Sequence, residues 1–129
     1  MFNRGIEQEI VPCCQSYGIG VVPWGPLASG FLTGKYAPGS EIPACFSPSS
    51  GIYSDIFNET NFEKLAKLKN FARERNHSVG QLAVAWLLSH PWLGSVITGA
   101  TNTEQVSSNA VAGDWKLSTE DIAQLDKIL

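Results

Sequence analysis

The sequence predicts a single α/β domain with parallel strands, and three observations carry that prediction. Helix-like and strand-like segments alternate along the chain instead of falling into separate blocks. Two runs rich in β-branched residues, Val21-Val22-Pro23-Trp24 and Ser95-Val96-Ile97-Thr98, lack polar alternation and have glycine at their boundaries, the pattern of short buried strands. At 129 residues, 43% hydrophobic and 16% charged, the chain has the length of one domain and enough apolar content for a sizeable core.

Taken in order, Gly5 to Tyr17 sets Ile6, Ile10, Cys13, Cys14 and Tyr17 at helical spacing, with Pro12 marking a break or a first-turn position. Cys13 and Cys14 read as small apolar residues on that helix's face. Gly18-Ile19-Gly20 closes the helix and the first strand follows. The stretch Ala37 to Asn58, "APGSEIPACFSPSSGIYSDIFN", is rich in Pro, Ser and Gly without periodicity and reads as a long surface loop, with Cys45 exposed in it. Asn61 to Arg75 is an amphipathic helix whose apolar side is Phe62, Leu65, Leu68 and Ala72. A break at "NHSVGQ" restarts with Ser78 and Gln81 at capping-box spacing. The next run, "LAVAWLLS", is apolar on nearly all sides, so it predicts a helix buried between layers with Trp86 in the core. After the second strand, Asn102 and Gln105 repeat the cap spacing before a helix from about Thr103 to Ala112. Ser118 and Asp121 open a last helix with Ile122, Leu125 and Ile128 on one face.

Charge and composition exclude several classes of partner. A formal charge of −3, with nine basic residues spread along the chain, gives no footprint for nucleic acid or an anionic membrane. No apolar stretch reaches the roughly 18 residues of a spanning helix, and the start Met1-Phe2-Asn3-Arg4 has no signal-peptide core, so a cytoplasmic location is expected. Three cysteines, no C-x-x-C pair and no histidine at ligand spacing predict reduced thiols and no metal site. His77 and His90 fall beside helix ends as surface or capping residues.

Two turns are suited to chemistry, because in parallel α/β folds ligands sit outside the carboxyl ends of the strands. In the first, Gly25 and Gly30 let backbone N–H groups approach an oxyanion, Lys35 can add a charge, and Trp24 offers a flat apolar face. In the second, Gly99 to Thr103 leads into free helix N–H groups, with Gln105, Ser108 and Asn109 about one turn further on. Neither turn is specific alone: the G-K-[ST] of a P-loop and the G-x-G-x-x-G fingerprint are both absent.

"WGPLASGFLTGKY" followed by "SVITGATNTEQVSSNA" resembles the C-terminal part of the aldo-keto reductases, in the branch that includes the voltage-gated potassium channel β-subunits. "FNRGIEQEIVPCCQSYGIG", "HSVGQLAVAWLLSHP" and "LSTEDIAQLDKIL" fit the same family, so the resemblance covers residues 1–129 as one partial reductase domain. The resemblance implies the C-terminal half of a (β/α)8 TIM barrel, its last two to three β/α units plus a C-terminal helix. A complete barrel needs about 250 residues. It further implies NADP(H) at the C-terminal rim and hydride transfer to an aldehyde or ketone. By position, Trp24 resembles the residue stacking on nicotinamide, and Gly25, Pro26, Leu27, Ser29, Gly30, Phe31 and Lys35 resemble the loop around the pyrophosphate. Gly99, Ala100, Thr101 and Thr103 are similar to the segment at the ribose and 2′-phosphate, and Gln105 and Asn109 to the adenine contacts. Asn102 stands where many relatives carry Lys or Arg, which keeps NAD(H) open as the alternative cofactor. No position matches the family's catalytic Asp, Tyr, Lys and His, so this chain alone is expected to be inactive. The alternatives from other classes are a non-catalytic cofactor-binding or regulatory module and a truncated product without independent activity. Exposed strand edges would favour self-association.

Overall fold

The computed structural model describes residues 1–41, 43–44 and 53–129; residues 42 and 45–52 of the expected loop, Cys45 among them, lie outside the described residues. Among the described residues five helices form the body: α1 (Ile10–Ser16), α2 (Glu59–Arg73), α3 (Val79–Leu88), α4 (Thr103–Asp114) and α5 (Thr119–Ile128). Short 3-10 turns occupy Gly5–Glu7, Ala28–Thr33 and Ser54–Ile56.

Local chemistry starts each long helix. The Asn58 side chain accepts from the Asn61 N–H to open α2, two residues ahead of the expected start. Ser78 with Gln81, and Ser118 with Asp121, form full capping boxes at α3 and α5. Asn102 caps α4 by accepting from the Gln105 N–H at 2.9 Å. The first predicted helix is split instead: a 3-10 turn ends at Glu7, and α1 begins at Ile10 with Pro12 in its first turn, where the missing N–H costs nothing. Its expected apolar side is also displaced. Ile10 and Tyr17 are 55% and 77% exposed and Cys13 is exposed, while Val11 is the buried residue of α1. Reading Cys13 as a buried small hydrophobe is corrected accordingly.

The core is built around α3, which packs against α2, α4 and the 28–33 turn. Leu82, Ala83 and Trp86 of α3 meet Phe62, Leu65, Leu68 and Ala72 of α2, with Leu125 from α5 and Phe31 and Leu32 from the turn, all of them buried. Both the amphipathic face of α2 and the placement of Trp86 match the sequence reading. The indole N–H of Trp86 is buried without an acceptor among the described residues. Ile122 and Ile128 pack half-buried beside Leu125. The His77 ring stacks on Trp115 at 3.9 Å and 10°, tying the α2–α3 corner to the α4–α5 connection.

Ion pairs fasten the periphery. Arg4 grips both carboxylate oxygens of Glu7 at 2.8 Å and reaches Asp126 at 2.7 Å. Arg75 donates to Asp121 through Nε and Nη2 at 3.0 and 2.8 Å. Partial burial works to raise the Asp121 pKa, but the Ser118 backbone and hydroxyl donors and Arg75 together hold it below its ordinary value of 3.8. A carboxyl depressed in the folded state stabilises it above the unfolded value and loses that contribution as pH falls through the folded one. Acid titration of the melting temperature should therefore show a loss that begins as pH falls into the ordinary carboxylate range and is complete only below it, and Asp121→Asn should flatten that slope.

The sheet is far shorter than the two expected strands. Among the described residues only two isolated parallel bridges occur, Val21 with Leu93 and Trp24 with Ile97. The Val21 N–H donates to the Trp92 carbonyl at 3.0 Å and the Gly94 N–H to the Val21 carbonyl at 2.8 Å. Gly20 and Gly94 allow this approach, since a Cβ on Gly20 would lie 3.2 Å from the Gly94 Cα. The expectation of buried strands is corrected here: Val22, Trp24 and Ile97 are 48%, 65% and 61% exposed. Two short segments pairing only with each other have too little support to propagate a ladder. Among the described residues, no helix is long and apolar enough to cross a membrane, and no group of three His, Cys, Asp or Glu residues could hold a metal ion.

Candidate functional site

The parallel sense of the two bridges decides where the candidate turns lie. Trp24 pairs beside Ile97, so both segments run on in the same direction and deliver Gly25 and Gly99 to one rim. Had the pairing been antiparallel, the two turns would have left at opposite ends.

The first turn is held in an uncommon backbone conformation. Ala28, Ser29 and Gly30 have φ of 47°, 52° and 89°, three successive left-handed residues, two of which pay a Cβ penalty of about 1–2 kcal/mol each. Burial behind the turn offsets that cost: Phe31 is 0% and Leu32 2% exposed. Phe31 sits in an aromatic cluster, its ring centroid 5.9 Å from Phe2, 6.1 Å from Phe57 and 5.0 Å from Phe62. Polar struts finish the turn. The Tyr36 hydroxyl donates to the Ser29 carbonyl at 3.3 Å, and Lys69 donates to the Gly34 carbonyl at 2.8 Å. Lys35 lies across Gly30, where a Cβ would come within 2.7 Å of its Cε, with its ammonium 4.9 Å from the Tyr36 ring centroid. Of the residues expected here, Trp24, Gly25, Ser29 and Lys35 are exposed, and Pro26, Leu27 and Gly30 are half-buried. Phe31 faces the core, so only its backbone is available to a ligand.

The second turn braces itself. Gln105 Oε1 accepts from the Thr101 N–H at 2.8 Å and from its hydroxyl at 3.2 Å, while Asn109 Nδ2 donates to the Gly99 carbonyl at 3.4 Å. The Asn102 side chain is committed to its cap. Gly99, Ala100, Thr101 and Thr103 are exposed, and the Thr103 and Glu104 amides have no backbone acceptor among the described residues. They leave an electropositive helix end suited to an anion. As placed, Gln105 and Asn109 therefore shape the turn as well as standing beside it.

Between the first bridge and the body lies a cavity of about 660 Å³ whose wall includes Trp24, Gly25, Pro26, Tyr53 and Trp86. Tyr53 had no role in the sequence reading. It stands edge-on to Trp24, ring centroids 6.3 Å apart at 64°, with its hydroxyl 3.5 Å from the Gly25 carbonyl. Gly25 has φ +65° and leaves room for it: a Cβ there would lie 2.0 Å from the Tyr53 oxygen. Burial pushes the Tyr53 phenol above its ordinary value, so the hydroxyl stays protonated at neutral pH. Nothing in the composition of its loop singles it out; only folding back onto Gly25 does.

The chain is 42% identical over 119 residues to a probable voltage-gated potassium channel β-subunit from Oryza sativa, covering 88% of this chain and 36% of that protein. It is 32% identical over 133 residues to L-glyceraldehyde 3-phosphate reductase from Escherichia coli K12, covering 98% of this chain and 38% of the relative. The solved structure of a glycerol dehydrogenase from Gluconobacter oxydans superposes with a TM-score of 0.82 at 30% identity, over 99% of this chain and 39% of that one. The chain thus spans under two fifths of the length of these relatives. The pattern of the Aldo/keto reductase family matches residues 1–129, end to end, and the chain belongs to that family.

Proposed function

We propose that this chain is the cofactor-binding, C-terminal portion of an NAD(P)H-dependent aldo-keto reductase, working on an aldehyde or ketone when the rest of a (β/α)8 barrel completes it. The observation that carries this reading is the parallel pairing of Trp24 with Ile97, which brings a flat aromatic face and an open helix N-terminus to one rim.

The residues present suit a dinucleotide. Trp24 supplies an exposed plane for a ring, and the left-handed 28–30 turn with Lys35 suits a pyrophosphate. The amides of Thr103 and Glu104, with the Thr101 and Thr103 hydroxyls, suit a phosphate on the adenosine side. A bound reduced nicotinamide would supply the hydride. The carbonyl oxygen also needs a proton donor, and by the resemblance none of Tyr17, Tyr36 and Tyr53 matches the family's position: Tyr17 is exposed on the surface, Tyr36 braces Ser29 and the Tyr53 hydroxyl reaches the Gly25 carbonyl. In this reading the chain alone binds cofactor without turning it over, and further strands would pair on the side of Val21 away from Leu93, where no bridge occurs among the described residues. A cytoplasmic setting fits the same reading.

Asn102 bears on the choice of cofactor. With its side chain used as a cap and no lysine or arginine in the turn, a 2′-phosphate would meet only N–H and hydroxyl donors. Quenching of tryptophan fluorescence should accordingly report NADPH and NADH with affinities within about tenfold of each other, the scale of one missing charge-assisted bond. Absence of quenching by either would overturn the cofactor reading, and protein-dependent NADPH oxidation with simple aldehydes would overturn the expected inactivity.

A further inference from the structure

Stacking on Trp24 alone leaves a bound ring free to rotate in its own plane, because a flat apolar surface fixes distance and tilt but not direction. Tyr53 removes that freedom. Its ring rises at 64° from Trp24 with centroids 6.3 Å apart, so the two make a floor and a wall at the mouth of the cavity. The wall is held at its base and at its tip. The Ile56 N–H donates to the Tyr53 carbonyl at 3.1 Å, closing the 3-10 turn whose carbonyls at Asp55 and Ile56 accept from Asn61 on α2. At the other end the hydroxyl reaches the Gly25 carbonyl, over a residue with no side chain to obstruct it.

We infer that Tyr53 is a positioning residue, the upright wall that sets the in-plane orientation of a nicotinamide ring lying on Trp24. The inference rests on the cofactor reading above and adds to it the residue that selects one ring orientation. An uncharged aromatic face suits this task better than an aliphatic surface, because the rim of a ring lying on Trp24 would meet it in edge-to-face geometry.

Two half-ligands separate this role from general support of the fold. Reduced nicotinamide mononucleotide carries the ring, and adenosine 2′,5′-bisphosphate carries the other end. Tyr53→Ala should weaken the first about five-fold, the scale of a single aromatic contact, and leave the second unchanged. Tyr53→Phe, which keeps the ring and loses only the hydroxyl, should stay within about two-fold of the parent for both. The near-ultraviolet circular dichroism of the bound reduced ring should collapse in Tyr53→Ala and return in Tyr53→Phe. If Tyr53→Ala binds the mononucleotide as the parent does, or weakens both half-ligands equally, the wall is refuted while cofactor binding stands; so too if Tyr53→Phe is as weak as Tyr53→Ala. If the parent chain binds neither NADPH nor NADH, both readings fall together.

Discussion

Replacing Phe31 with alanine is expected to cost about 3–5 kcal/mol of folding free energy, a large share of the 5–15 kcal/mol of an ordinary domain. The size follows from position. Phe31 is completely buried and makes ring contacts with Phe2, Phe57 and Phe62, so truncation removes packing from the N-terminal segment, the residues ahead of α2 and α2 itself. The same side chain anchors the turn whose Ala28 and Ser29 sit at positive φ. With the anchor gone, the neighbouring turn relaxes to ordinary backbone angles, and dinucleotide affinity falls alongside stability. Urea unfolding followed by circular dichroism measures the first effect. Phe31→Leu, which keeps most of the volume, should lose less than about 1.5 kcal/mol and retain ligand binding. A Phe31→Ala protein as stable as its parent would mean that the turn is held from elsewhere.

Trp24→Ala should behave in the opposite way, with binding lost and stability kept. Trp24 is 65% exposed, and its ring partner is Tyr53 at the cavity mouth. Its removal should shift unfolding by no more than about 0.5 kcal/mol. Base-on-aromatic stacking contributes about 1–3 kcal/mol, so dinucleotide affinity should fall by roughly ten- to a hundredfold. Calorimetry is the suitable measurement, because the substitution also removes the fluorescent reporter. Trp24→Phe should recover part of the loss. Unchanged affinity in Trp24→Ala would remove the central support of the cofactor reading.

Those two residues also mark what could be read from the sequence. Trp24 stood out through the family motif it resembles, whereas its local pattern left an exposed platform and a core position equally open; the structure leaves it exposed. The α2 face, the caps at Ser78, Asn102 and Ser118, and the burial of Trp86 were legible for a simpler reason: each follows from spacing within one turn of helix. Phe31 was legible only as part of a motif, and its side chain points the other way, since apolar character says "inside" but a loop has no period to say which residues turn inward. Val22 and Ile97 were expected to be covered because β-branched runs usually are; their exposure depends on what else pairs with the strands, which no local pattern encodes. Tyr53 was illegible for the same reason. Its contact with Gly25 spans 28 positions, and long-range closure of a Pro/Ser-rich stretch leaves no periodic trace.

The Arg4–Asp126 ion pair joins positions 122 residues apart. Bringing such distant points together costs loop entropy that local helix contacts do not incur, and with both side chains partly exposed the pair itself returns at most about 1 kcal/mol. The segment ahead of the first 3-10 turn and the last helix are thus clasped at the surface by a contact that added salt should loosen.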